Sequence, residues 1–167
     1  MTEKLNFSKD LKIDLEKDTL GKKALIILVG CPGAGKSTWG KKFAVENNLT
    51  YVSTDAIRAE LGKGEGDQTV SAQAFATACA RVSAALGAGK SAMVDATSVT
   101  KKARKDWINL GRGHGAYVMT VAFEVPREEL LRRDTLRERH VGEEVIDRFL
   151  GKYERPTDTE VDKVIIK

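Results

Sequence analysis

The sequence predicts an α/β protein in which helices flank a central, mainly parallel sheet of four to five strands. Short apolar runs alternate with amphipathic stretches along the chain, which is the pattern of a parallel sheet covered by helices on both faces. The run at 24–29 is apolar throughout, as in a strand that is buried on both sides. The 167 residues, 41% hydrophobic and 31% charged, suffice for one well-packed core.

Five apolar runs define the predicted strands, at 24–29, 50–53, 91–95, 116–123 and 163–166. The amphipathic stretches between them predict six helices, at 36–46, 55–61, 71–86, 101–110, 127–140 and 143–153. Pro126 suits the first turn of the fifth helix, because proline needs no amide donor there. The glycine-containing segment 111–115 predicts a break after the fourth helix.

Residues 1–22 are predicted to form an N-terminal arm or an edge hairpin ahead of a single domain at 23–167. The apolar residues of this segment fall at odd positions, as they would in a strand. They are Leu5, Phe7, Leu11, Ile13 and Leu15.

Bulk charge and cysteine usage restrict the environment of the protein. The formal charge of +4 and pI near 9.0 are compatible with a polyanionic partner, although ATP alone would also account for a basic site. Two cysteines, Cys31 and Cys79, provide neither a disulfide framework nor a metal cluster. No apolar run approaches the ~18 residues of a membrane span. We therefore expect a cytoplasmic protein with no membrane association.

A phosphate-binding loop follows the first predicted strand. Residues 30–37 read G-x-x-x-x-G-K-S, between an apolar run and a helical pattern. Such a loop directs backbone N–H groups and a helix N-terminus at phosphate oxygens, with Lys36 as a charge and the Ser37 hydroxyl available to Mg²⁺. We therefore predict binding of ATP or another nucleoside triphosphate with Mg²⁺. The nucleotide-binding residues are predicted to be Gly33, Ala34, Gly35, Lys36, Ser37 and Thr38.

Two acidic residues follow later strands, where ligands of open α/β sheets bind. Asp55 lies three residues before Arg58, so a helix would place both on one face. Asp55 could accept a proton from an attacking hydroxyl and Arg58 could hold an acceptor anion; alternatively, Asp55 only caps the helix. Asp95 could lie near the metal or orient the acceptor together with Thr97, or it could cap a helix or turn.

An arginine series forms a third candidate site on the fifth predicted helix. Arg133 and Arg137 are four residues apart and would share a helix face. Cations placed over a triphosphate neutralise the charge that develops on the transferred phosphoryl group. Alternatively, the arginines form a solvated face with acidic surface partners. The series is Arg132, Arg133, Arg137 and Arg139, and the acidic residues are Glu128, Glu129, Asp134 and Glu138.

The order of these motifs resembles that of a known enzyme domain. Four elements follow one another along the chain: the loop with Trp39 behind it, Asp55-x-x-Arg58, Val94-Asp95-Ala96-Thr97 and Arg133-x-x-x-Arg137. In this order they resemble the 5′-hydroxyl polynucleotide kinase domain of phage and bacterial nucleic-acid end-healing enzymes. The resemblance covers residues 24–166. It implies a three-layer P-loop kinase fold with an Arg-bearing lid helix, and transfer of the γ-phosphate of ATP to the 5′-OH of single-stranded or end-exposed DNA or RNA.

The resemblance also implies a role for each candidate residue. Lys36 would bind the β- and γ-phosphates and Ser37 the Mg²⁺. Asp55 would be the general base and Arg58 would contact the terminal acceptor phosphate. Asp95 and Thr97 match a segment near the acceptor and phosphate sites. Arg133 and Arg137 match catalytic lid arginines that close over the donor phosphates. Relatives commonly carry Asn where this chain has Asp134, so we expect an added negative charge near the donor site.

The sequence also differs from the phage enzymes in what it lacks. No two aspartates are two residues apart, so the D-x-D-x-T motif of the 3′-phosphatase domain is absent. We expect a kinase without that phosphatase, acting beside a possible separate ligase or phosphatase.

Two other functional classes compete with the polynucleotide kinase. Kinases of small-molecule hydroxyl substrates share the fold and the loop, and they are the alternative reading. A GTPase-type switch would need D-x-x-G and N-K-x-D after the loop. The chain has D-x-x-G only at 18–21, before the loop, and it lacks N-K-x-D.

Overall fold

The structure, a computed structural model, describes residues 13–62, 64 and 68–167. Its strands are β1 (Ala24–Gly30), β2 (Thr50–Ser53), β3 (Ala92–Asp95), β4 (Tyr117–Phe123) and β5 (Lys163–Ile166). The helices of the described residues are α1 (Leu15–Asp18), α2 (Lys36–Glu46), α3 (Thr54–Leu61), α4 (Ser71–Gly87), α5 (Lys101–Gly113), α6 (Arg127–Thr135) and α7 (Glu143–Lys152), with a 3₁₀ turn at Gln68–Val70.

The five strands form one sheet in the order β2-β3-β1-β4-β5, and all neighbouring strands are parallel. The central strand β1 is buried at every position, which explains its uninterrupted apolar sequence. In the register of the sheet, Leu28 of β1 lies beside Asp95 of β3 and Val121 of β4. The predicted α/β class with a mainly parallel sheet is confirmed.

Alternate residues of β1 belong to two separate hydrophobic clusters, one on each face of the sheet. Leu25 and Ile27 pack with residues of α4 and α5 such as Val82 and Trp107. Ile26 and its alternating neighbours pack with residues of α2, α6 and α7 on the other face. Because successive side chains of a strand point to opposite faces, one apolar run supports both helical layers. The result is the three-layer arrangement that the sequence predicts.

Helix α5 continues through part of the segment predicted to be a break. It ends at Gly113 rather than at residue 110, and the turn comes at Gly115, where φ is +71°. Gly111 is buried inside the helix, and a Cβ there would lie 2.9 Å from a methyl of Leu25 and 3.0 Å from one of Val118. This glycine is therefore needed for close approach of α5 to the sheet, not for ending the helix.

Helix α6 is shorter than predicted. It ends at Thr135 instead of residue 140, because the buried side chain of Asp134 accepts hydrogen bonds from the amides of Val141 (2.9 Å) and Gly142 (3.0 Å). These bonds turn the chain back toward the helix. Arg137 consequently lies beyond the end of α6. The sequence-based prediction that Arg133 and Arg137 share one helix face is therefore wrong.

The beginning of the chain is described only from residue 13. Within 13–22 it forms the short helix α1, and Ile13 and Leu15 pack against the hydrophobic cluster that contains Ile26. Residues 1–12, the rest of the predicted arm or hairpin, lie outside the described residues. In the part of the chain that is described, no helix has the length and apolarity needed to cross a membrane.

We predict that Gly111→Val destabilises the fold by about 1–3 kcal/mol more than Gly113→Val, since the added side chain overfills the contact with Leu25 and Val118. Gly113 is a matched control, because it lies in the same helix and a Cβ there meets no atom within 4 Å. Urea unfolding of both variants measures the difference. Equal free energies of unfolding would contradict the packing role of Gly111.

Candidate active site

The loop between β1 and α2 has the backbone geometry of an anion site. Gly33 and Gly35 have φ values of +83° and +92°, a conformation that costs glycine little and other residues more. Gly35 is the N-cap of α2, and no side chain caps that helix. Its first-turn N–H groups are therefore left for a ligand, and the helix dipole favours an anion there.

Lys36 is held inside the loop. Its side chain is buried, and its ammonium donates to the carbonyl oxygens of Gly30 (2.9 Å) and Cys31 (3.0 Å). Burial lowers the pKa of the Lys36 ammonium, while the negative charge of Asp95 opposes this shift. The positive charge of Lys36 is therefore placed to contact a phosphate that the loop binds. Burial likewise raises the pKa of the Cys31 thiol, and the charge of Lys36 opposes this shift.

Asp95 joins β3 to the phosphate loop. Its Oδ2 accepts a hydrogen bond of 2.6 Å from the Ser37 hydroxyl and a second one from the hydroxyl of Tyr51 on β2. Burial, followed by the hydrogen bond to Asp95, raises the pKa of Tyr51. Because Thr100 is the N-cap of α5, Asp95 does not cap that helix. The neighbouring Thr97 accepts a backbone hydrogen bond of 3.3 Å from Gly30 at the start of the loop.

Asp55 is not the cap of α3. Ser53 has that position and accepts from the Ala56 amide at 3.2 Å, so Asp55 lies in the first turn. Its side chain is 60% exposed and forms an ion pair with Arg58, which is 16% exposed. The ion pair keeps both side chains together on one face, as their three-residue spacing predicts.

Arg133 and Arg137 approach the loop from different backbone positions. Arg133 on α6 donates to Glu129 at 2.9 Å, and its Nη1 lies 3.5 Å from the Gly33 carbonyl oxygen. Arg137 lies in the segment after α6, with its Nη1 3.9 Å from the place that a Cβ on Gly33 would take. The other two arginines of the series, Arg132 and Arg139, do not line the cavity over the loop, and Arg132 pairs with Glu129 on the surface.

The charge of Asp134 is held by backbone amides, close enough to Arg137 for the two charges to interact. Its oxygens bind the amides of Val141 and Gly142, and the residue does not line the cavity over the loop. These backbone hydrogen bonds lower the pKa of the Asp134 carboxyl. Asp134 therefore anchors the segment that carries Arg137.

One cavity of about 1160 Å³ brings all of the predicted site residues together. Its lining includes residues 33–38 of the loop with Asp55, Arg58, Asp95, Thr97, Arg133 and Arg137. The carboxyl ends of parallel strands meet at the same edge of the sheet, which explains how residues distant in the sequence reach one cavity.

Sequence reasoning missed an aromatic wall of the same cavity. Trp39 stacks on Phe43 with a centroid separation of 4.7 Å and meets Phe123 edge-on at 5.7 Å. The Lys167 ammonium lies 5.0 Å from the Trp39 ring centre and 5.1 Å from that of Phe123. These residues come from α2 and from the ends of β4 and β5. Only Trp39 lies next to a sequence motif. No pattern in the sequence indicates that Phe43, Phe123 and Lys167 pack beside Trp39.

The loop at the end of the central strand makes this chain a nucleotide-binding protein of the P-loop class, and its five-stranded parallel sheet matches the P-loop kinase fold. The family model described as an AAA domain matches residues 25–156, and the chain belongs to that family.

Similar proteins include kinases that act on different acceptors. The L-seryl-tRNA(Sec) kinase of Methanococcus maripaludis is 29% identical over 139 residues, which are 79% of this chain and 53% of that protein. The chain thus spans about half the length of this curated relative.

Solved structures extend the comparison. A chain of the Pnkp1/Rnl/Hen1 RNA repair complex is 25% identical with a TM-score of 0.69, over 78% of this chain and 44% of the other. A sugar kinase from Janibacter sp. HTCC2649 has a TM-score of 0.65 at 20% identity, over 87% of this chain and 84% of the other. The latter likeness shows the fold alone.

We predict that Asp134→Ala destabilises the protein by about 1.5–3 kcal/mol at pH 7, because two amides lose a charged acceptor. The pKa of Asp134 is lower in the folded protein than the unfolded value of about 3.9. Its contribution is therefore complete above that pH and is lost as the pH falls through the folded pKa. Urea unfolding at several pH values measures it.

Two controls accompany this measurement. Asp134→Asn keeps an acceptor oxygen and should retain part of the stability, whereas Asp158→Ala removes an exposed carboxylate and should change little. A stability loss in Asp134→Ala that is the same at pH 7 and pH 3 would contradict the anchoring role of the carboxylate.

Proposed function

We propose that this protein is a polynucleotide 5′-hydroxyl kinase that transfers the γ-phosphate of ATP to the 5′-OH end of DNA or RNA. The observation that carries the proposal is that the Asp55–Arg58 pair and the Lys36 loop line one cavity. A carboxylate and a cation beside the phosphate loop suit an acceptor that has both a hydroxyl group and a phosphate.

The donor half of the proposed site binds the triphosphate. The N–H groups of residues 33–38 surround its oxygens, and Lys36 exchanges its bonds to loop carbonyls for the β- and γ-phosphates. Arg133 and Arg137 neutralise the charge that develops on the transferred group. The aromatic wall that begins at Trp39, next to the loop, gives the nucleoside base an apolar surface to stack on.

The residues at the loop also fit Mg²⁺, a cation that prefers oxygen ligands and keeps several from substrate phosphates and water. Ser37 would hold the ion, with the Asp95 carboxylate beside it, since these two oxygens are 2.6 Å apart. When bound, Mg²⁺ neutralises phosphate charge. Tyr51 holds the same carboxylate oxygen of Asp95 and so fixes its direction.

The acceptor half performs the proton transfer. The 5′-hydroxyl oxygen attacks the γ-phosphorus in line, the bond to the β-phosphate oxygen breaks, and ADP leaves. Asp55 accepts the hydroxyl proton, and Arg58 holds the acceptor phosphate through charged hydrogen bonds. Asp95 and Thr97 line the space between the two halves. Positioning and charge neutralisation supply most of the rate.

The comparisons support a nucleic-acid acceptor without deciding it. The curated relative is a kinase of a tRNA-linked serine by its name, and the 25% identical chain comes from an RNA repair complex. A separate repair enzyme is therefore a possible partner. The test offers labelled ATP with a 5′-OH DNA, a 5′-OH RNA, a seryl-tRNA and a panel of sugars. Label on the 5′-OH ends supports the proposal, whereas label only on a sugar would favour a small-molecule kinase.

We predict that Asp55→Asn lowers kcat at least about 100-fold, because the acceptor hydroxyl loses its proton acceptor. ATP affinity should stay close to that of the unchanged protein. Single-turnover transfer from labelled ATP and calorimetric ATP binding measure the two quantities. Glu60→Gln is the control, since Glu60 is an exposed carboxylate of the same helix that pairs with Arg81. Near-normal turnover of Asp55→Asn would remove Asp55 from the mechanism.

We predict that Arg58→Ala raises the KM for the oligonucleotide about 10- to 100-fold while leaving the Kd for ATP nearly unchanged, since a charged hydrogen bond to the acceptor phosphate is lost. Arg81→Ala serves as the control, because Arg81 pairs with Glu60 and does not line the cavity. Equal losses for both ligands would show that Arg58 does not act on the acceptor alone.

A further inference from the structure

We propose that three lysines on α5, Lys101, Lys102 and Lys105, bind the phosphate backbone of a single-stranded nucleic acid beyond the end that is phosphorylated. We call these three residues the lysine face. The proposal rests on the proposed function, because it supplies the rest of the acceptor-binding surface. A kinase of a small hydroxyl compound would have no use for such a surface.

The three lysines project from one side of α5. Lys105 is four residues from Lys101 and three from Lys102, which are the spacings of neighbours on a helix surface. All three are exposed. Among the described residues, none of them forms an ion pair with a carboxylate. The face therefore presents three positive charges to solvent.

Arg104 belongs to the opposite side of the helix, although it stands between these lysines in the sequence. Its side chain is 0% exposed, and its Nε lies 3.2 Å from an oxygen of Glu160. It also donates to the Ser98 carbonyl at 3.0 Å. Arg104 therefore fixes the segment that leads from the active site into α5, and it does not contact a ligand on the lysine face.

A second cavity of about 440 Å³ lies against the lysine face, with Ile108 and Glu160 as its other lining residues. Ile108, which is 8% exposed, contributes only a small apolar part of this lining. The charge of Glu160 is already neutralised by Arg104 and by the Thr157 amide at 3.0 Å. The cavity thus adjoins three cations, and a positively charged groove that follows the backbone is a general feature of single-strand binding sites.

Two other carboxylates near the lysine face, those of Glu154 and Asp106, form no ion pair with its lysines among the described residues. The Glu154 carboxylate accepts a hydrogen bond of 3.2 Å from the backbone amide of Lys101. It therefore binds the N-terminus of α5, and the lysine side chains remain available to phosphates. Asp106 acts on Cys79 of α4, whose thiol pKa is raised by burial and then by this charge. Asp106 is therefore close enough to α4 for its charge to act on Cys79.

The lysine face is close enough to the active site for one strand to reach both. Thr97 lines the active-site cavity, and Lys101 follows it by four residues, a span of at most about 14 Å. At about 3.4 Å per phosphate for a stacked strand, that distance corresponds to about four phosphates, and to fewer for an extended strand. A strand whose 5′ end lies beside Thr97 would then bring its second to fifth nucleotides within reach of the lysine face.

The binding test replaces the three residues together, as K101Q/K102Q/K105Q. The matched control is K17Q/K22Q/K90Q, which removes the same charge from exposed lysines that line neither cavity. Binding of a fluorescent 5′-OH DNA or RNA of about 12 nucleotides is titrated at several salt concentrations, and each lost phosphate contact lowers the salt slope by about 0.7. We expect the slope to fall by about 2 in the lysine-face variant and to stay unchanged in the control. Equal slopes in the two variants would overturn the proposal.

A kinetic test uses two acceptors of different length. The KM for the oligonucleotide should rise at least about tenfold in the lysine-face variant, whereas kcat/KM for a nucleoside 3′-monophosphate, which is too short to reach α5, should not change. An unchanged oligonucleotide KM would overturn the proposal. If the unaltered protein phosphorylates neither acceptor, the proposed kinase activity fails, and the salt titration still decides whether the lysine face binds nucleic acid.

Discussion

The parallel arrangement of the five strands is the constraint on which the rest of the structure depends. Every strand ends at the same edge of the sheet, so the segments that follow β1, β2 and β3 converge there. The central strand can occupy its place only because it is apolar on both faces and therefore supports helices on both sides. The phosphate loop, Asp55 and Asp95 share one cavity for this reason, although Asp95 follows Gly30, the first residue of the loop motif, by 65 positions in the sequence.

The charged groups of the site have hydrogen-bond or ion-pair partners within the protein. Lys36 is bound by loop carbonyls, Asp55 by Arg58, and Arg133 by Glu129. An unpaired charge is costly where it is buried, as Lys36 is, and the carbonyl oxygens of the loop provide its partners. In the proposed reaction each of these groups exchanges an internal partner for a phosphate or hydroxyl of the substrates, so none of them is left without a partner. Preorganised charges of this kind contribute strongly to phosphoryl transfer.

Local sequence patterns predicted elements well where one physical cause dominated. Apolar continuity predicted β1, and the motif at 30–37 with the helical pattern behind it predicted that α2 runs from residue 36 to residue 46. Predictions failed where distant contacts decided the outcome. Gly111 looks like a helix terminator, but in this fold it lets α5 approach Leu25. The extent of α6 is a second case, because Asp134 accepts hydrogen bonds from amides seven and eight positions later and the helix ends at Thr135.

The sequence by itself determined the fold class, the phosphate loop and the candidate residues around it, because short motifs and hydrophobic periodicity depend on local chemistry. Only the tertiary structure decided which of these residues share a cavity and what holds them. Tyr51 joins Asp95 because β2 and β3 are neighbours in the sheet, and Arg104 separates from the adjacent lysines because one side of α5 is buried. Strand order and helix rotation depend on contacts between distant segments, and no local pattern encodes them.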